Sequence, residues 1–566
     1  MEKNIKKITG AESVIKVLLE EGVDVIFGYP GGAIMPIYDA LFDYKENINH
    51  VLVRHEQGAI HAAQGFARAT GKIGVVFATS GPGATNLITG LADALIDSTP
   101  LVCITGQVSS KLLGTDAFQE TDVIGISMPV TKWNIQITKA EEIPSAMAKA
   151  FYIAKSGRPG PVLIDITKDA QFEITEFFYK KCTKIRSYHL KTESTLADIE
   201  KAVKLINQAQ KPLVVVGQGV ILSGAERELL AFIEKSGIPI ASTLLGLGAF
   251  PNHHPLYVGY VGMHGNYAPN IKTNECDVLI AIGMRFDDRV TGDVSRYAKQ
   301  AKIIHIDIDA SEINKIISVD VPIQADAKEA INKLNSLIEQ RYHLSWLQEF
   351  RECEKIEVET LNKTETSLPE NQLKMDEVVQ ALSKLTKGEA VVVTDVGQHQ
   401  MTTARYYQYN QTRSNVTSGG LGTMGFALPA AIGAKLGVPD KQVIAIIGDG
   451  GFQMTLQELG TILQSKIPVK IIILNNRFLG MVRQWQQMFF EKRYSFTEMV
   501  SPDFVALAKS YGIEAKKLEK REGLEDELRQ MLNYQDAYLL EVMVAKEENV
   551  FPMIPTGASV SEIRLS

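Results

Sequence analysis

The chain has 566 residues, of which 45% are hydrophobic and 22% are charged, and its formal net charge is −7. This length exceeds one ordinary core and predicts about three or four domains, while the balance of apolar and charged residues excludes a disordered chain. The mild negative charge gives no basic surface for nucleic acid, and no apolar run reaches the roughly 18 residues of a membrane span.

The cysteines and the first residues bear on the compartment. The four cysteines, at positions 103, 182, 276 and 353, lie far apart and form no CxxC pair. This spacing disfavours a disulfide framework and a thiolate metal site. Residues 1–7 lack the apolar run of a signal peptide and the composition of a transit peptide. We therefore expect a cytoplasmic protein.

The first part of the chain alternates helical and extended patterns. Helices are predicted over 11–21, 34–42 and 59–70, and strands over 25–27, 51–53, 75–78 and 101–105. Short β-branched runs bounded by glycine and alternating with helices indicate a parallel sheet that is covered on both faces. A polar, charged stretch at 178–194 then predicts a linker.

A carboxylate follows the second of these strands. Glu56 lies in the string Arg54-His55-Glu56-Gln57-Gly58-Ala59. An acid at this point is often an ordinary residue of a helix start, where the macrodipole favours it. The alternative is a functional acid at the edge of a cleft, and the residues alone leave both interpretations open.

The alternation of predicted helices and strands recurs in two further parts of the chain. The middle of the chain predicts strands over 213–216, 238–242, 278–282 and 303–308, and a charged, helix-rich segment follows at 328–371. The last part predicts strands over 390–394, 443–447, 469–474 and 538–542. We therefore predict an α/β fold of three doubly wound parallel-sheet domains, at 1–178, 190–345 and 370–550, with a C-terminal tail at 551–566.

The most informative segment lies in the last of these domains. Gly448-Asp449-Gly450-Gly451 follows one strand, and Asn475-Asn476 follows the next. The carboxyl ends of two such strands meet where open α/β sheets bind ligands. A carboxylate and an amide oxygen suit Mg²⁺, and glycines let a backbone approach a diphosphate. Either half by itself is also typical of a tight turn or a strand cap, but the combination favours a metal–diphosphate site.

This combination resembles the thiamine diphosphate-dependent enzymes. The resemblance implies that Asp449 and Asn476 bind Mg²⁺ through their side chains and Phe478 binds it through its backbone carbonyl. It also implies that Glu56 hydrogen-bonds the aminopyrimidine ring and so activates the coenzyme, and that Met424 forces its bent conformation, although a Met here also suits plain core packing. The other coenzyme-binding positions that it implies are Gly397, Gln398, His399, Gly422, Gly450 and Gly451.

Further strings resemble the acetohydroxyacid synthases among these enzymes. In Arg285-Phe286-Asp287-Asp288-Arg289, the resemblance assigns Arg289 to the acceptor carboxylate, for which a planar charged fork is suited; a self-compensated surface turn is the alternative. Trp485 would narrow the acceptor pocket, unless it only packs the core. Gln119 is implied as a catalytic residue with Glu56, and Phe118 and Lys168 as substrate contacts.

The middle domain resembles the FAD-binding domain of the same family. Its only dinucleotide-like string, Gly217-Gln218-Gly219, has Leu222 where a third glycine would stand, so a nicotinamide site is weakly supported. The resemblance instead implies a mainly structural FAD. The residues that it assigns to the flavin are Arg158, His264, Gly283, Arg285, Asp307 and Asp326.

The function implied by the resemblance is that of an acetolactate synthase. Such an enzyme decarboxylates pyruvate on thiamine diphosphate and joins the two-carbon unit to pyruvate or 2-oxobutanoate. The products are 2-acetolactate or 2-aceto-2-hydroxybutanoate, for branched-chain amino-acid synthesis. The family forms its sites between subunits, which implies a homodimer or homotetramer, and relatives bind a small regulatory subunit. A flavin-using pyruvate oxidase, a flavin-free acetolactate synthase and a non-catalytic cofactor-binding subunit stay open as alternatives.

Overall fold

The computed structural model describes residues 7–365 and 372–566. The predicted domain limits at residues 1 and 370, and the end of the predicted charged segment at 366–371, lie outside the described residues. Within the described ranges, three six-stranded sheets form, and all neighbouring strands in each sheet are parallel. The predicted α/β fold of three doubly wound domains is confirmed.

The first domain has the strand order β3-β2-β4-β5-β7-β6, and a short antiparallel β1-β8 pair joins its two ends. Its strands are β1 Lys7–Thr9, β2 Val25–Gly28, β3 Asn49–Leu52, β4 Gly74–Ala78, β5 Leu101–Gln107, β6 Trp133–Ile137, β7 Pro161–Thr167 and β8 Ile174–Glu176. Its helices are α1 Gly10–Glu20, α2 Met35–Phe42, α3 Glu56–Thr70, α4 Pro82–Thr85, α5 Ile88–Ile96, α6 Val123–Ser127, α7 Ile143–Lys155 and α8 Lys168–Phe172.

The middle domain has the strand order β11-β10-β9-β12-β13-β14. Its strands are β9 Pro212–Val216, β10 Ile240–Ser242, β11 Tyr257–Tyr260, β12 Val278–Ile282, β13 Lys302–Asp307 and β14 Val321–Gln324. Its helices are α9 Leu196–Gln208, α10 Gln218–Ser223, α11 Glu226–Ser236, α12 Tyr267–Thr273, α13 Asp288–Thr291, α14 Ala327–Leu337 and α15 Leu344–Glu365.

The last domain has the strand order β16-β15-β17-β18-β20-β19. Its strands are β15 Val391–Thr394, β16 Asn415–Thr417, β17 Val443–Gly448, β18 Lys470–Asn475, β19 Glu514–Leu518 and β20 Tyr538–Met543. Its helices are α16 Met375–Thr386, α17 Gln398–Tyr406, α18 Ala427–Gly437, α19 Asp449–Thr455, α20 Leu459–Ser465, α21 Gly480–Phe489, α22 Phe504–Ser510 and α23 Leu524–Asn533.

Each sheet reverses its strand order at an inner position, and this reversal creates a crevice at the carboxyl ends of the strands. The reversal lies between β2 and β4 in the first domain, between β9 and β12 in the middle domain, and between β15 and β17 in the last. Apolar clusters cover both faces of every sheet, which explains the continuous apolar runs of the central strands. The loops at the three crevices are therefore the natural places for ligands.

The first and last domains pack tightly through α3 and α18. A Cβ on Gly65 of α3 would lie 1.9 Å from the carbonyl oxygen of Ala430, and a Cβ on Gly433 of α18 would lie 1.7 Å from that of Ala62. The two helix backbones thus touch directly, which only glycine allows. This contact fixes the last domain of a chain against its own first domain.

The structure also corrects several predicted elements. Helix α3 begins at Glu56 with His55 as its N-cap, three residues before the predicted start at 59. The strands that the sequence patterns missed are β1, β6, β7, β8, β11, β14, β16 and β19. All but β7 lie at the edge of a sheet, where partial exposure weakens the apolar run. No helix in the described part of the chain is long and apolar enough to cross a membrane.

Candidate active site

Asp449 and the asparagine pair lie at the ends of two neighbouring strands. Gly448 at the end of β17 is in register with Leu474 near the end of β18. The Asp449 carboxylate accepts a hydrogen bond from Oγ of Ser501 at 3.3 Å, and its Oδ1 is buried with no hydrogen-bond partner among the described residues. Burial raises the pKa of Asp449 to about 6. A buried carboxylate oxygen without a partner is what a bound cation would satisfy.

The amide of Asn476 is held in place from both sides. Its Nδ2 donates to Oε1 of Gln398 at 3.2 Å, and its Oδ1 accepts the backbone N–H of Phe478 at 3.1 Å. The preceding Asn475 turns the other way and donates to the buried Glu541 carboxylate at 2.7 Å. The two asparagines therefore differ in role: Asn476 faces the crevice, and Asn475 anchors the end of β18.

Glycines and one buried carboxylate shape the floor of this crevice. A Cβ on Gly450 would lie 2.8 Å from Leu479 Cδ2 and 3.8 Å from Met424 Cε, and one on Gly451 would lie 2.6 Å from Asp395 Oδ1. The Asp395 carboxylate also accepts the backbone N–H groups of Gly425 and Ala427, each at 3.0 Å. Three loops, after β15, β16 and β17, therefore converge at one point.

Asp395 is a residue that the sequence analysis missed. It is almost fully buried at the end of β15, and burial raises the pKa of its carboxyl. Its position directly after strand β15 was the available signal, because open α/β sheets bind ligands at the carboxyl ends of their strands. Ser501, the partner of Asp449, lies in a loop that offered no such signal.

Gln398 and His399 open α17 beside the same crevice. The ring of His399 lies 3.0 Å from where a Cβ would stand on Gly397 and on Gly448, so both glycines are required for its close fit. Burial lowers the pKa of His399 to about 4, so the ring is neutral at pH 7. Its Nε2 has no hydrogen-bond partner among the described residues. The predicted coenzyme-binding loop is thus brought next to Gly448 and Asn476.

One cavity of about 960 Å³ runs from the middle domain to the last domain. It is lined by all the residues that the resemblance assigned to the flavin: Arg158, His264, Gly283, Arg285, Asp307 and Asp326. It is also lined by Gly397, Gly422, Met424, Arg289 and Trp485. The size lies at the upper end of ordinary ligand pockets, so it can take a large ligand.

The glycines of the middle domain explain the incomplete dinucleotide string. A Cβ on Gly217 would lie 2.3 Å from the carbonyl oxygen of Gly283, and one on Gly219 would lie 2.6 Å from the Cα of Gly283. The turns after β9 and β12 therefore pack backbone to backbone at the switch point of the sheet. Gly217 and Gly219 serve this contact, and a third glycine at position 222 is not needed for it.

The charged residues of the cavity are partly used within the chain. The Arg158 guanidinium contacts Glu312 at 2.8 Å and Asp309 at 3.4 Å, and the Asp326 carboxylate caps helix α14. Asp307 is half-buried, and burial raises its pKa to about 6. The buried His264 has a pKa lowered to about 4 and an Nδ1 without a partner among the described residues. These groups fit a large polar ligand that completes their hydrogen bonds.

Arg289, Trp485 and Met424 all line the large cavity. Arg289 contacts Met263 Sδ through Nη1 at 3.6 Å and keeps an exposed guanidinium, since its side chain is 60% accessible. Trp485 lies on α21, and its ring centroid is 5.3 Å from that of Phe489. A cation and a flat aromatic ring in one cavity can bind a small carboxylate with an apolar tail.

Four other predicted site residues of the first domain, Glu56, Phe118, Gln119 and Lys168, lie outside this cavity. Glu56 is buried at the start of α3 and accepts a hydrogen bond from Nδ2 of Asn86 at 2.9 Å. Phe118 is 88% exposed, and its neighbour Gln119 has a φ of 59°. Among the described residues that line the large cavity, none is Glu56, Phe118, Gln119 or Lys168. A single chain thus gathers the predicted site into two separate parts.

The comparisons with known proteins agree with this geometry. Residues 8–126 match the model "Thiamine pyrophosphate enzyme, N-terminal TPP binding domain", residues 199–334 match the central domain, and residues 395–542 match the C-terminal TPP binding domain. The chain is 45% identical to the acetolactate synthase large subunit of Lactococcus lactis subsp. lactis, over 99% of this chain and 96% of that one.

Two further relatives extend this similarity. The chain is 46% identical to the acetolactate synthase isozyme 2 large subunit of Escherichia coli (strain K12), over 98% of this chain and 99% of that one. It is 47% identical to a probable acetolactate synthase large subunit of Methanocaldococcus jannaschii, over 98% of this chain and 95% of that one.

Proposed function

The chain belongs to the acetolactate synthase large subunits, within the thiamine pyrophosphate (thiamine diphosphate) enzymes. We propose that its large cavity and the adjoining crevice form the active site for the acetolactate synthase reaction. The chain is a transferase that decarboxylates pyruvate and joins the two-carbon unit to a second 2-oxo acid, pyruvate or 2-oxobutanoate. The observation that carries the proposal is that Asp449 and Asn476 follow neighbouring strands, while Met424, beside Gly450, lines the same cavity as Arg289 and Trp485.

The coenzyme end of the site fits thiamine diphosphate with Mg²⁺. The side chains of Asp449 and Asn476 and the backbone carbonyl of Phe478 would hold the cation, since the unpartnered Oδ1 of Asp449 supplies a hard ligand. Gly450 and Gly451 keep the floor free of side chains, and Met424, whose Cε lies 3.8 Å from where a Cβ would stand on Gly450, would contact the bound coenzyme. When bound, the coenzyme supplies the nucleophilic carbon and the electron sink of the decarboxylation.

The acceptor end of the site is assigned to Arg289 and Trp485. Arg289 binds the carboxylate of the second 2-oxo acid, because its guanidinium is exposed toward the cavity. Trp485 narrows the pocket so that it discriminates between acceptors that differ by one methylene, which is worth about 1–3 kcal/mol in transition-state binding. Phe118, Gln119 and Lys168 are assigned to the substrate on the side of the first domain, where they help to exclude water.

FAD is the proposed third ligand, in the middle-domain part of the cavity. The chemistry of the donor set supports it: cations, buried acids and an unpartnered histidine nitrogen line a cavity of about 960 Å³. Arg158 and Arg285 suit the diphosphate, and Asp307 and Asp326 suit hydroxyl groups. Acetolactate formation has no net redox change, so this role is structural.

We further propose a homodimer or homotetramer with active sites between subunits. Glu56 and Gln119 lie outside the cavity of their own chain, so a second copy would supply them. A small regulatory subunit and the cytoplasm as compartment are proposed on the resemblance, and the free thiols at all four cysteines suit a reducing compartment. The limits 1–178, 190–345, 370–550 and 551–566 stay our proposal for the domains and the tail.

The decisive experiment is an assay of the purified chain with pyruvate and 2-oxobutanoate together. We expect 2-acetolactate and 2-aceto-2-hydroxybutanoate, formed only when thiamine diphosphate and Mg²⁺ are present. Oxygen uptake without either product would favour the pyruvate oxidase alternative, and activity without bound flavin would favour a flavin-free synthase. No turnover of pyruvate under any of these conditions would contradict the proposal.

A further inference from the structure

Two buried aspartates of the first domain contact the loop that carries Met424 in the last domain. We call residues 418–424 the wedge loop. Asp97, at the end of α5, accepts the backbone N–H of Gly419 on Oδ2 at 2.8 Å and that of Gly420 on Oδ1 at 2.7 Å. One carboxylate thus holds two consecutive peptide groups. A Cβ on Gly420 would lie 3.0 Å from Asp97 Oδ1, so a glycine is needed for this approach.

Asp93, one turn earlier on α5, binds the two hydroxyl groups of the same loop. Its Oδ1 accepts from Oγ of Ser418 and, at 3.2 Å, from Oγ1 of Thr423. Ser418 Oγ in turn accepts the backbone N–H of Thr423 at 2.8 Å. The residue directly before Met424 is therefore fixed through its side chain and through its backbone.

Arg68 of α3 compensates the two carboxylates. Its Nη2 donates to Asp97 Oδ2 at 2.9 Å and lies 4.0 Å from Asp93 Oδ2, and its Nη1 donates to the carbonyl oxygen of Thr417. The three side chains are nearly inaccessible. Burying two acids against one guanidinium is costly unless their oxygens are hydrogen-bonded. The wedge loop supplies such bonds to both oxygens of Asp97 and to Oδ1 of Asp93, whereas Oδ2 of Asp93 has no hydrogen-bond partner among the described residues.

The wedge loop is also held from its other sides. A Cβ on Gly419 would lie 2.8 Å from Cγ of Leu245 in the middle domain, and Gly425 is bound by Asp395 of the last domain. The aspartates of the first domain complete this enclosure.

We propose that Asp93 and Asp97 are positioning residues: they fix the wedge loop of their own subunit, so that Met424 is placed to contact thiamine diphosphate. The inference rests on the proposed function and deepens it. In the proposed assembly the first domain of a chain would then act on two sites: its Glu56 serves one coenzyme, and its α5 aspartates orient Met424 against another. This role accounts for the buried pair of Asp93 and Asp97, which takes no direct part in the proposed chemistry.

The test measures thiamine diphosphate binding, by calorimetry on the Mg²⁺-containing apoenzyme, for Asp97→Asn. The amide replaces one acceptor oxygen by an NH₂ donor, which must face a backbone N–H or Arg68. We expect the dissociation constant of thiamine diphosphate to rise by about tenfold to a hundredfold, as for a lost buried bond to a charged group. The matched control is Asp277→Asn, which also loses a carboxylate that accepts two backbone N–H groups, from Gln210 and Lys211, and we expect a change below about twofold.

A double-variant cycle separates positioning from general stability. If Asp97 acts through the wedge loop, Asp97→Asn added to Met424→Ala weakens coenzyme binding little beyond Met424→Ala itself. The inference would be overturned if the double variant raised the dissociation constant by the product of the two single-variant factors. It would also be overturned if Asp97→Asn had the dissociation constant of the wild type. If Asp97→Asn does not fold, Asp93→Asn keeps the Arg68–Asp97 pair and must show the same weakening. A wild-type protein that binds no thiamine diphosphate would instead refute the proposed function and this inference with it.

Discussion

Glu56 and Asn86 are joined by a 2.9 Å hydrogen bond from the amide Nδ2 to the carboxylate Oε2, inside the first domain. The other carboxylate oxygen of Glu56 lies beside Gly83, 3.2 Å from where a Cβ would stand. Asn86 thus fixes the direction of an acid that has no cation near it in this bond. Under the proposed function, this carboxylate would bind a ring nitrogen of the coenzyme.

We predict that Glu56→Gln leaves thiamine diphosphate binding mostly intact but lowers turnover by about 100-fold or more, because an amide cannot favour the imino tautomer of the coenzyme. Steady-state kinetics with pyruvate and coenzyme titration measure the two effects. Glu46→Gln, at an exposed position of the same domain, is the control and should keep normal activity. A near-normal rate for Glu56→Gln would reject the tautomer role.

Trp485→Leu should abolish the preference for 2-oxobutanoate over pyruvate as acceptor. A smaller side chain relaxes the fit of the extra methylene, which is worth about tenfold or more in specificity. Product ratios at mixed substrate concentrations measure this preference. Phe489→Leu removes the aromatic neighbour of Trp485 without lining the cavity, so its product ratio should stay near that of the wild type. Equal ratios in both variants would exclude Trp485 as the selective residue.

Glu120 organises the loop that carries Phe118 and Gln119. Its exposed carboxylate accepts the backbone N–H groups of Gly114, Thr115 and Ala117, which lowers its pKa. We predict that Glu120→Gln lowers kcat/KM for pyruvate by up to about a hundredfold, because misplacement of catalytic groups is costly. The melting temperature should change little, and Glu141→Gln, also exposed, should leave both quantities unchanged. A large loss of stability with normal kinetics would contradict the prediction.

Gly65→Ala should destabilise the protein although alanine favours a helix by about 1 kcal/mol over glycine. The new Cβ would lie 1.9 Å from the carbonyl oxygen of Ala430, which is backbone and cannot move aside. We expect a loss of about 3 kcal/mol in the free energy of unfolding, from urea titration. Gly32→Ala, where a Cβ meets nothing within 4 Å, should stay within about 0.5 kcal/mol of the wild type.

Asp93 makes the stability depend on pH. Burial, and next the neighbouring Asp97, raise its pKa to about 6 against the attraction of Arg68, whereas an unfolded aspartate has a pKa of about 3.9. The folded protein therefore binds this proton more tightly, and the stabilising contribution present below pH 4 is lost as the pH rises through 6. In the wild type, the free energy of unfolding should fall by about 2–3 kcal/mol between pH 4 and 7 because of Asp93, and Asp93→Asn should abolish this fall. Urea midpoints across this range, compared with Asp277→Asn, measure it, and parallel curves for wild type and Asp93→Asn would contradict the prediction.

The local chemistry of this protein could be predicted from the sequence. Gly448-Asp449-Gly450 and Asn475-Asn476 each follow a strand whose apolar run is continuous, and parallel strands must bring their carboxyl ends to one edge. The fold class, the order of the domains and the two halves of the metal–diphosphate crevice follow from that periodicity. Most edge strands, such as β6 and β19, could not be predicted, because half-exposed strands lack the continuous run.

The tertiary structure decided which distant residues meet. Asp93 and Ser418 lie 325 positions apart, and their contact depends on α3 packing on α18 through glycines. The role of Asp395, which binds Gly425 and Ala427, likewise depends on how two loops converge after β15 and β16. Local patterns record the burial of a residue along its own helix or strand, but they carry no information on which surface covers it. The physical reason is that close packing between domains is a property of two shapes together, and neither segment encodes it by itself.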